Sequence, residues 1–279
     1  MPDDTSRFKG RILNCVESQG TEKDWTYESA VSRGDICEEE TLPSKVDLRK
    51  SWWTVQKQPD ACGACTGYAA AYGVLKWHYV EAGMIEKTEC PSARFIWMAN
   101  KETDSYVKYP TTFLEPEGTA TKRALHIAYK YGCVLEKILP MNEVKLSPRN
   151  RAEFYFLASK LRINSYFSYG SDKPLDLEKL RKGLASNGPI LVRLLADKTW
   201  EDVGDTGKLE TYEPSRKTYG HAVCVVGYTE DDYFIVRNSW GNEWGDKGFA
   251  YASPEYAREA FSEAMVQLCK SHSAKEETC

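Results

Sequence analysis

Arg237-Asn238-Ser239-Trp240-Gly241-Asn242-Glu243-Trp244-Gly245-Asp246-Lys247-Gly248-Phe249 places an amide between a cation and a hydroxyl, then repeats tryptophan and glycine. Asparagine on its own favours turns. Arg237 before it and Ser239-Trp240-Gly241 after it ask for more than a turn, while Trp240 and Trp244 also fit plain core packing. Upstream, Tyr219-Gly220-His221-Ala222-Val223 runs on through Val226-Gly227-Tyr228, so His221 falls on a short β-branched strand. Further upstream, Cys62-Gly63-Ala64-Cys65 precedes a small-residue apolar run from Thr66 to Val80. A cysteine opening such a run sits at a helix N-terminus, where unpaired N–H groups favour thiolate over thiol.

A thiol, an imidazole and an amide in that order read as a cysteine hydrolase: a thiolate needs a base, and the base needs an orienting group. The competing reading of Cys62-x-x-Cys65 is a redox or zinc pair. A redox pair should follow a strand, whereas Trp52 to Ala61 is polar and turn-like. Zinc needs two further ligands at matched spacing, and the sequence has neither a second CxxC nor a paired histidine. His78 and His126 sit at helical positions beside apolar residues and read as satisfied core or surface histidines, and His272 as a tail residue.

With 279 residues and 42% hydrophobic content, the chain can bury one large core or two modest ones. Its net charge is −4 with both signs mixed, and no lysine–arginine block points to nucleic acid or an anionic membrane. Apolar runs are too short to span a bilayer. Met1-Pro2-Asp3-Asp4 has no apolar core behind it, so no signal peptide is expected in this sequence, which leaves open a cytoplasmic chain, a mature form or one exported by a non-classical route. Nine cysteines leave eight besides Cys65, enough for four bridges or none.

Residues 1–42 are polar and read as an extension on a body that starts near Leu42-Pro43. The run from Cys65 is apolar nearly all round and reads as a buried central helix stopped at Gly83. Further helices are expected over Pro91–Lys101, Thr121–Tyr131, Arg149–Leu161 and Pro174–Ser186. After Pro189 the period changes, and Ile190–Leu195, His221–Tyr228, Tyr233–Arg237 and Gly248–Ala252 read as strands. A last amphipathic segment, Pro254 to Lys270, precedes a polar tail at 271–279 that is expected to be disordered. The expected organisation is a helical lobe over 43–165 and a β-rich lobe over 166–270. The acidic groups at Glu38–Glu40 and Glu276-Glu277 read as solvated faces.

Cys62-Gly63-Ala64-Cys65, Gly220-His221-Ala222-Val223 and the Asn238-to-Phe249 turn together resemble the papain family of cysteine peptidases over residues 43 to 265. The resemblance implies an α+β, papain-like two-lobe fold. A helical N-terminal lobe would carry Cys65, a β-barrel-like C-terminal lobe would carry His221 and Asn238, and the site would lie in the cleft between. It implies Cys65 as nucleophile, His221 as base then acid, Asn238 as orienter and Trp240 as cover for the His–Asn bond. Gln58 would serve in the oxyanion hole, although it stands one residue further from Cys65 than the family's glutamine does. In the family the position of Cys62 is half of a disulfide, with Cys90 the nearest downstream partner, and in a reducing cytoplasm both are thiols. Thr66 replaces the usual aromatic, the segment lining the main specificity pocket is missing, and only 64 residues precede Cys65. Pro91-Ser92-Ala93-Arg94-Phe95 and Tyr131-Gly132-Cys133-Val134-Leu135-Glu136 look closer to bacterial-type members than to lysosomal cathepsins. The expected activity is hydrolysis of a peptide or protein substrate through an acyl-enzyme thioester, with no cofactor or metal. The alternatives are an acyl transferase using the same residues and an inactive papain-like binding module. Residues 1–42 would either wrap the body or cross the cleft and inhibit the enzyme in cis.

Overall fold

Two structural periods divide the chain, and they meet at one sheet. The computed structural model describes residues 7–8, 11–36, 41–60, 62–103, 118–142, 151–170, 174–214 and 219–269. The extension supplies a two-stranded hairpin, β1 (Arg7–Phe8) with β2 (Arg11–Ile12), and the short helix α1 (Tyr27–Ser32). Thr26 caps α1 by accepting from the Ser29 N–H at 3.3 Å. After β3 (Val46–Asp47), a central helical rod starts as α2 (Cys65–Tyr68), widens into a π-helical stretch over Ala69–Leu75 and ends as α3 (Lys76–Glu81). Its small residues let neighbours approach: a Cβ on Gly67 would lie 2.6 Å from the Ala93 carbonyl oxygen.

Around the rod pack α4 (Ala93–Thr103), α5 (Thr121–Lys130) and α6 (Arg151–Ser159). The sequence places the start of α4 at Pro91, but Ser92 accepts from the Phe95 N–H at 3.0 Å and moves the cap inward. Likewise α7 (Leu177–Ser186) begins three residues after the expected Pro174, because Asp176 caps it through the Lys179 N–H at 3.1 Å.

The sheet is built from β4 (Ser165–Gly170), β5 (Ile190–Ala196), β6 (Lys208–Leu209), β7 (Tyr219–Tyr228), β8 (Phe234–Arg237), β9 (Phe249–Ala252) and β10 (Phe261–Leu268). Its order is β4-β10-β5-β7-β8-β9-β6, with β3 also paired to β7. All pairs are antiparallel except β6 with β9. Both faces of its centre are covered, so β5 and β7 read as continuous apolar runs. Leu191, Ala222, Cys224 and Val226 join the core around the rod, while Ile190, Val192, Val223 and Val225 turn to a second core. That second core holds Leu180 and Leu184 of α7 and Tyr256 and Ala257 of helix α8 (Pro254–Ala260).

The segment Pro254–Lys270 departs from the single amphipathic element expected. It is α8 followed directly by β10, inserted between β4 and β5, and β4 itself carries no signal singled out in the sequence. Ser253 caps α8 through the Tyr256 N–H, with Pro254 in the first turn. Glu38–Glu40, the tail at 271–279 and residues 149–150 of the expected Arg149–Leu161 helix lie outside the described residues.

Candidate active site

Cys65 is the first residue of α2. The preceding Ala64 has no side chain to cap the helix, so the first-turn N–H groups stay available to the sulfur. The backbone N–H groups of Thr66 and Ala222 and the Thr66 hydroxyl all favour the Cys65 thiolate. Ala222 is the neighbour of His221 on β7, so the thiol rests against the strand that carries the imidazole.

His221 is fixed through its far nitrogen. Its Nε2 lies 2.9 Å from Asn238 Oδ1, and that same oxygen accepts the Ser239 N–H at 2.8 Å. Since Oδ1 can only accept, Nε2 carries the hydrogen, and Nδ1 keeps its lone pair with no hydrogen-bond partner. Burial holds the imidazole well below its usual value, at about 4, opposed by the Asn238 bond and aided by the Arg11 charge.

Three tryptophans enclose this pair. Trp240 lies 5.1 Å from the His221 ring centroid at 33°, and Trp200 meets the ring edge-on at 5.4 Å. Trp244 stacks on Trp200 at 5.0 Å and donates its indole N–H to the Trp200 carbonyl at 3.0 Å. Trp200 in turn donates to Tyr256 Oη at 2.7 Å. Sequence reasoning missed Trp200, which sits in a 3₁₀ turn (Lys198–Trp200) with no motif around it.

Gln58 reaches the same place despite its longer loop. Its backbone N–H donates to the Ser239 carbonyl at 2.8 Å, and the Ser239 hydroxyl donates to Oε1 at 2.7 Å. The amide is thereby turned with Nε2 toward the cysteine loop, 3.4 Å from the Cys62 carbonyl oxygen. Of the residues between Gln58 and Cys62, Ala61 lies outside the described residues. Cys90 is a free thiol that accepts from Lys76 Nζ at 3.1 Å, so the Cys62–Cys90 bridge is absent. Among the described residues no group of three or more His, Cys, Asp or Glu is placed to hold a metal.

A strap from the extension, residues 11–18, crosses over the thiol. The Asn14 backbone bonds to Cys65, and the Cys15 N–H donates to the Gly220 carbonyl at 2.8 Å. Two glycines make room: a Cβ on Gly220 would stand 2.1 Å from the Cys15 carbonyl oxygen, and one on Gly118 would stand 1.8 Å from that of Asn14. Arg193 Nε donates to the Cys15 carbonyl at 3.0 Å, and Glu263 accepts from the Ser18 N–H at 2.8 Å and hydroxyl at 2.6 Å. The Arg11 guanidinium stacks 4.6 Å above Trp240. Under this strap Cys65 and His221 are both 0% exposed. Burial consequently pushes the Cys65 thiol up, overriding the groups that favour its thiolate.

The chain shares this arrangement with known proteins. It is 28% identical over 201 residues to an uncharacterized peptidase C1-like protein of Acanthamoeba polyphaga mimivirus, covering 67% of this chain and 60% of that one. It is 36% identical over 215 residues to cathepsin L of Sarcophaga peregrina, covering 75% and 58% respectively. The chain thus spans about three fifths of the length of these two relatives. Among solved structures, xylellain, a cysteine protease from Xylella fastidiosa, superposes with a TM-score of 0.72 at 22% identity, over 92% of this chain and 96% of that one. Digestive procathepsin L 3 of Tenebrio molitor superposes at 0.65 with 18% identity, over 91% and 76%. The sequence profile described as "Papain family cysteine protease" matches residues 42–268, which take in Gln58, Cys65, His221, Asn238 and Trp240 together, and the chain belongs to that family.

Proposed function

We propose that the protein is a peptidase that cleaves peptide bonds with Cys65 and His221, held latent by its own residues 11–18. The observation that carries this reading is the 2.9 Å contact of His221 Nε2 with Asn238, which leaves the Nδ1 lone pair buried on the strand touching Cys65. Cys65 gives its proton to Nδ1 and attacks the scissile carbonyl. The oxyanion is met by the Cys65 N–H and the Gln58 amide, and loss of one such donor typically costs about 100- to 1,000-fold in rate. The imidazolium then protonates the leaving amine, and neutral His221 activates water to hydrolyse the thioester. Trp200, Trp240 and Trp244 keep water from the His221–Asn238 bond, which strengthens it.

With the nucleophile and base fully covered, a substrate enters only when the strap leaves. The test compares peptide hydrolysis and thiol labelling in the full chain and in a chain starting near Leu42, with Cys65→Ala as control. Faster hydrolysis and labelling at lower pH in the shorter chain support the reading, and equal rates and affinities refute latency. Tyr27 and Ala30 are core residues, so the truncation risks the fold. Glu263→Gln in the full chain therefore serves as a second variant. It takes the charge out of two strap hydrogen bonds, roughly 1.5 kcal/mol, and should raise the open population about tenfold.

A further inference from the structure

Cys15 is a cysteine that the mechanism does not use, yet the strap places it at the nucleophile. Its N–H is paired to Gly220 beside His221, and its carbonyl is held by Arg193. The preceding residue, Asn14, bonds to Cys65 through its backbone. Cys15 and Cys65 belong to the same buried core and are 2% and 0% exposed. The Thr66 hydroxyl lies beside both sulfurs, and a charge on Cys65 pushes the Cys15 thiol up, so the two sulfurs are neighbours under the strap. The Cys15 thiol also makes a long 3.9 Å contact to the Val16 carbonyl. Two other described thiols are engaged elsewhere: Cys90 with Lys76 and Cys133 with the Val134 carbonyl.

We propose that Cys15 is a resolving thiol for Cys65, so that a peroxide turns the non-covalent strap into a reversible disulfide lock. This rests on the reading of Cys65 as the nucleophile and of residues 11–18 as its cover. When the strap is lifted, the Cys65 thiolate attacks hydrogen peroxide: an S–O bond forms, the O–O bond breaks, and hydroxide takes up a proton to leave as water. When the strap returns, the Cys15 sulfur attacks the sulfenic sulfur. An S–S bond forms, the S–O bond breaks, and the departing hydroxide carries away the Cys15 proton as a second water. The peroxide is reduced and two thiols are oxidised. The Arg193 guanidinium favours the Cys15 thiolate during this attack, against burial, which pushes that thiol up. Without Cys15, the sulfenic acid at Cys65 goes on to sulfinic acid, which thiols do not reverse.

The test exposes the full chain to hydrogen peroxide, then maps peptides without reduction. The expected product has lost two hydrogens, joins the Cys15 and Cys65 peptides, and returns to the starting mass and labelling rate with dithiothreitol. Cys15→Ser should instead end as sulfinic acid at Cys65, unrecovered by dithiothreitol. A wild-type chain that forms sulfinic acid as fast as Cys15→Ser overturns the proposal, and so does a bridge that joins Cys62 to Cys65. The map is read by mass and the peptidase reading by hydrolysis in Glu263→Gln. A missing Cys15–Cys65 bridge in a chain whose Glu263→Gln form cleaves peptide therefore sinks the lock alone.

Discussion

Gln58 is held by the turn that follows Asn238 and not by its spacing from Cys65. Two bonds to Ser239 tie the backbone and Oε1 of Gln58 to that turn. Position here is set by contact with the sheet lobe and not by distance along the chain. Gln58→Ala in the strap-weakened chain should therefore lower kcat about 100- to 1,000-fold with KM little changed, as expected for a donor used in the transition state. Steady-state kinetics on a peptide substrate check this, and a loss confined to KM would remove Gln58 from the oxyanion hole. At this scale the sequence carried much of the site. Cys65, His221, Asn238, Trp240 and Gln58 sit in local patterns whose chemistry can be read, and the fold brings them to one place. Trp200, Arg193 and Glu263 were not legible. Each is an ordinary residue in its own segment and acquires its role only from what packs against it, namely the His221 ring, the Cys15 carbonyl and Ser18.

At the scale of elements, the central rod was readable because its apolar residues face neighbours on all sides, but its geometry was not. Ala69–Leu75 is π-helical, and Gly73 sits there at φ −81° and ψ −105°, away from helical values. That widening seats the rod on β7: a Cβ on Gly73 would stand 2.9 Å from Cys224 Cβ. Gly73→Ala should thus destabilise the protein by about 1–3 kcal/mol through overpacking, measured as a lower urea midpoint with an unchanged slope. Gly73→Ala paired with Cys224→Ala should recover part of the loss, and no recovery would place the strain in the backbone instead. The same logic explains why Pro254–Lys270 misled the sequence reading. Phe261, Ala264 and Val266 point into the second core, but the partners that make this stretch a strand lie in β4 and β5, far away in the chain. Amphipathic periodicity cannot report pairing partners. The sequence offered residues 1–42 as either a wrap or a cleft-crossing segment but not which residues hold it, since that hold depends on Glu263, Arg193, Gly118 and Gly220 from four separate segments.

For the molecule as a whole, two buried histidines make folding sensitive to acid in a calculable way. Burial holds His78 and His221 at about 4, against about 6.5 in an unfolded chain. Above pH 6.5 neither state binds these protons, and the stability contribution is fully present. As pH falls from 6.5 toward 4, the unfolded chain takes up protons that the folded chain refuses, so stability is lost, and the loss levels off below 4. At pH 5 each histidine should cost about 2 kcal/mol relative to pH 7. The two differ in how that cost can be relieved. His221 lies under the strap, so lifting residues 11–18 hydrates the ring at the loss of only the Leu13 and Cys15 core contacts, and acid should open the site before it unfolds the protein. His78 is packed between Trp77 and the Pro189 turn, where its own hydrogen bond to the Pro189 backbone only partly offsets burial. Its protonation requires α3 to part from the turn ahead of β5, which loosens both cores at their junction. His78→Gln should accordingly shrink the stability difference between pH 7 and pH 5 by about 2 kcal/mol while leaving acid-promoted labelling of Cys65 in place. Urea unfolding at the two pH values measures the first, and the rate of Cys65 alkylation measures the second. If His78→Gln abolished both, one cooperative acid transition would govern the molecule, and strap opening would not be a separate event.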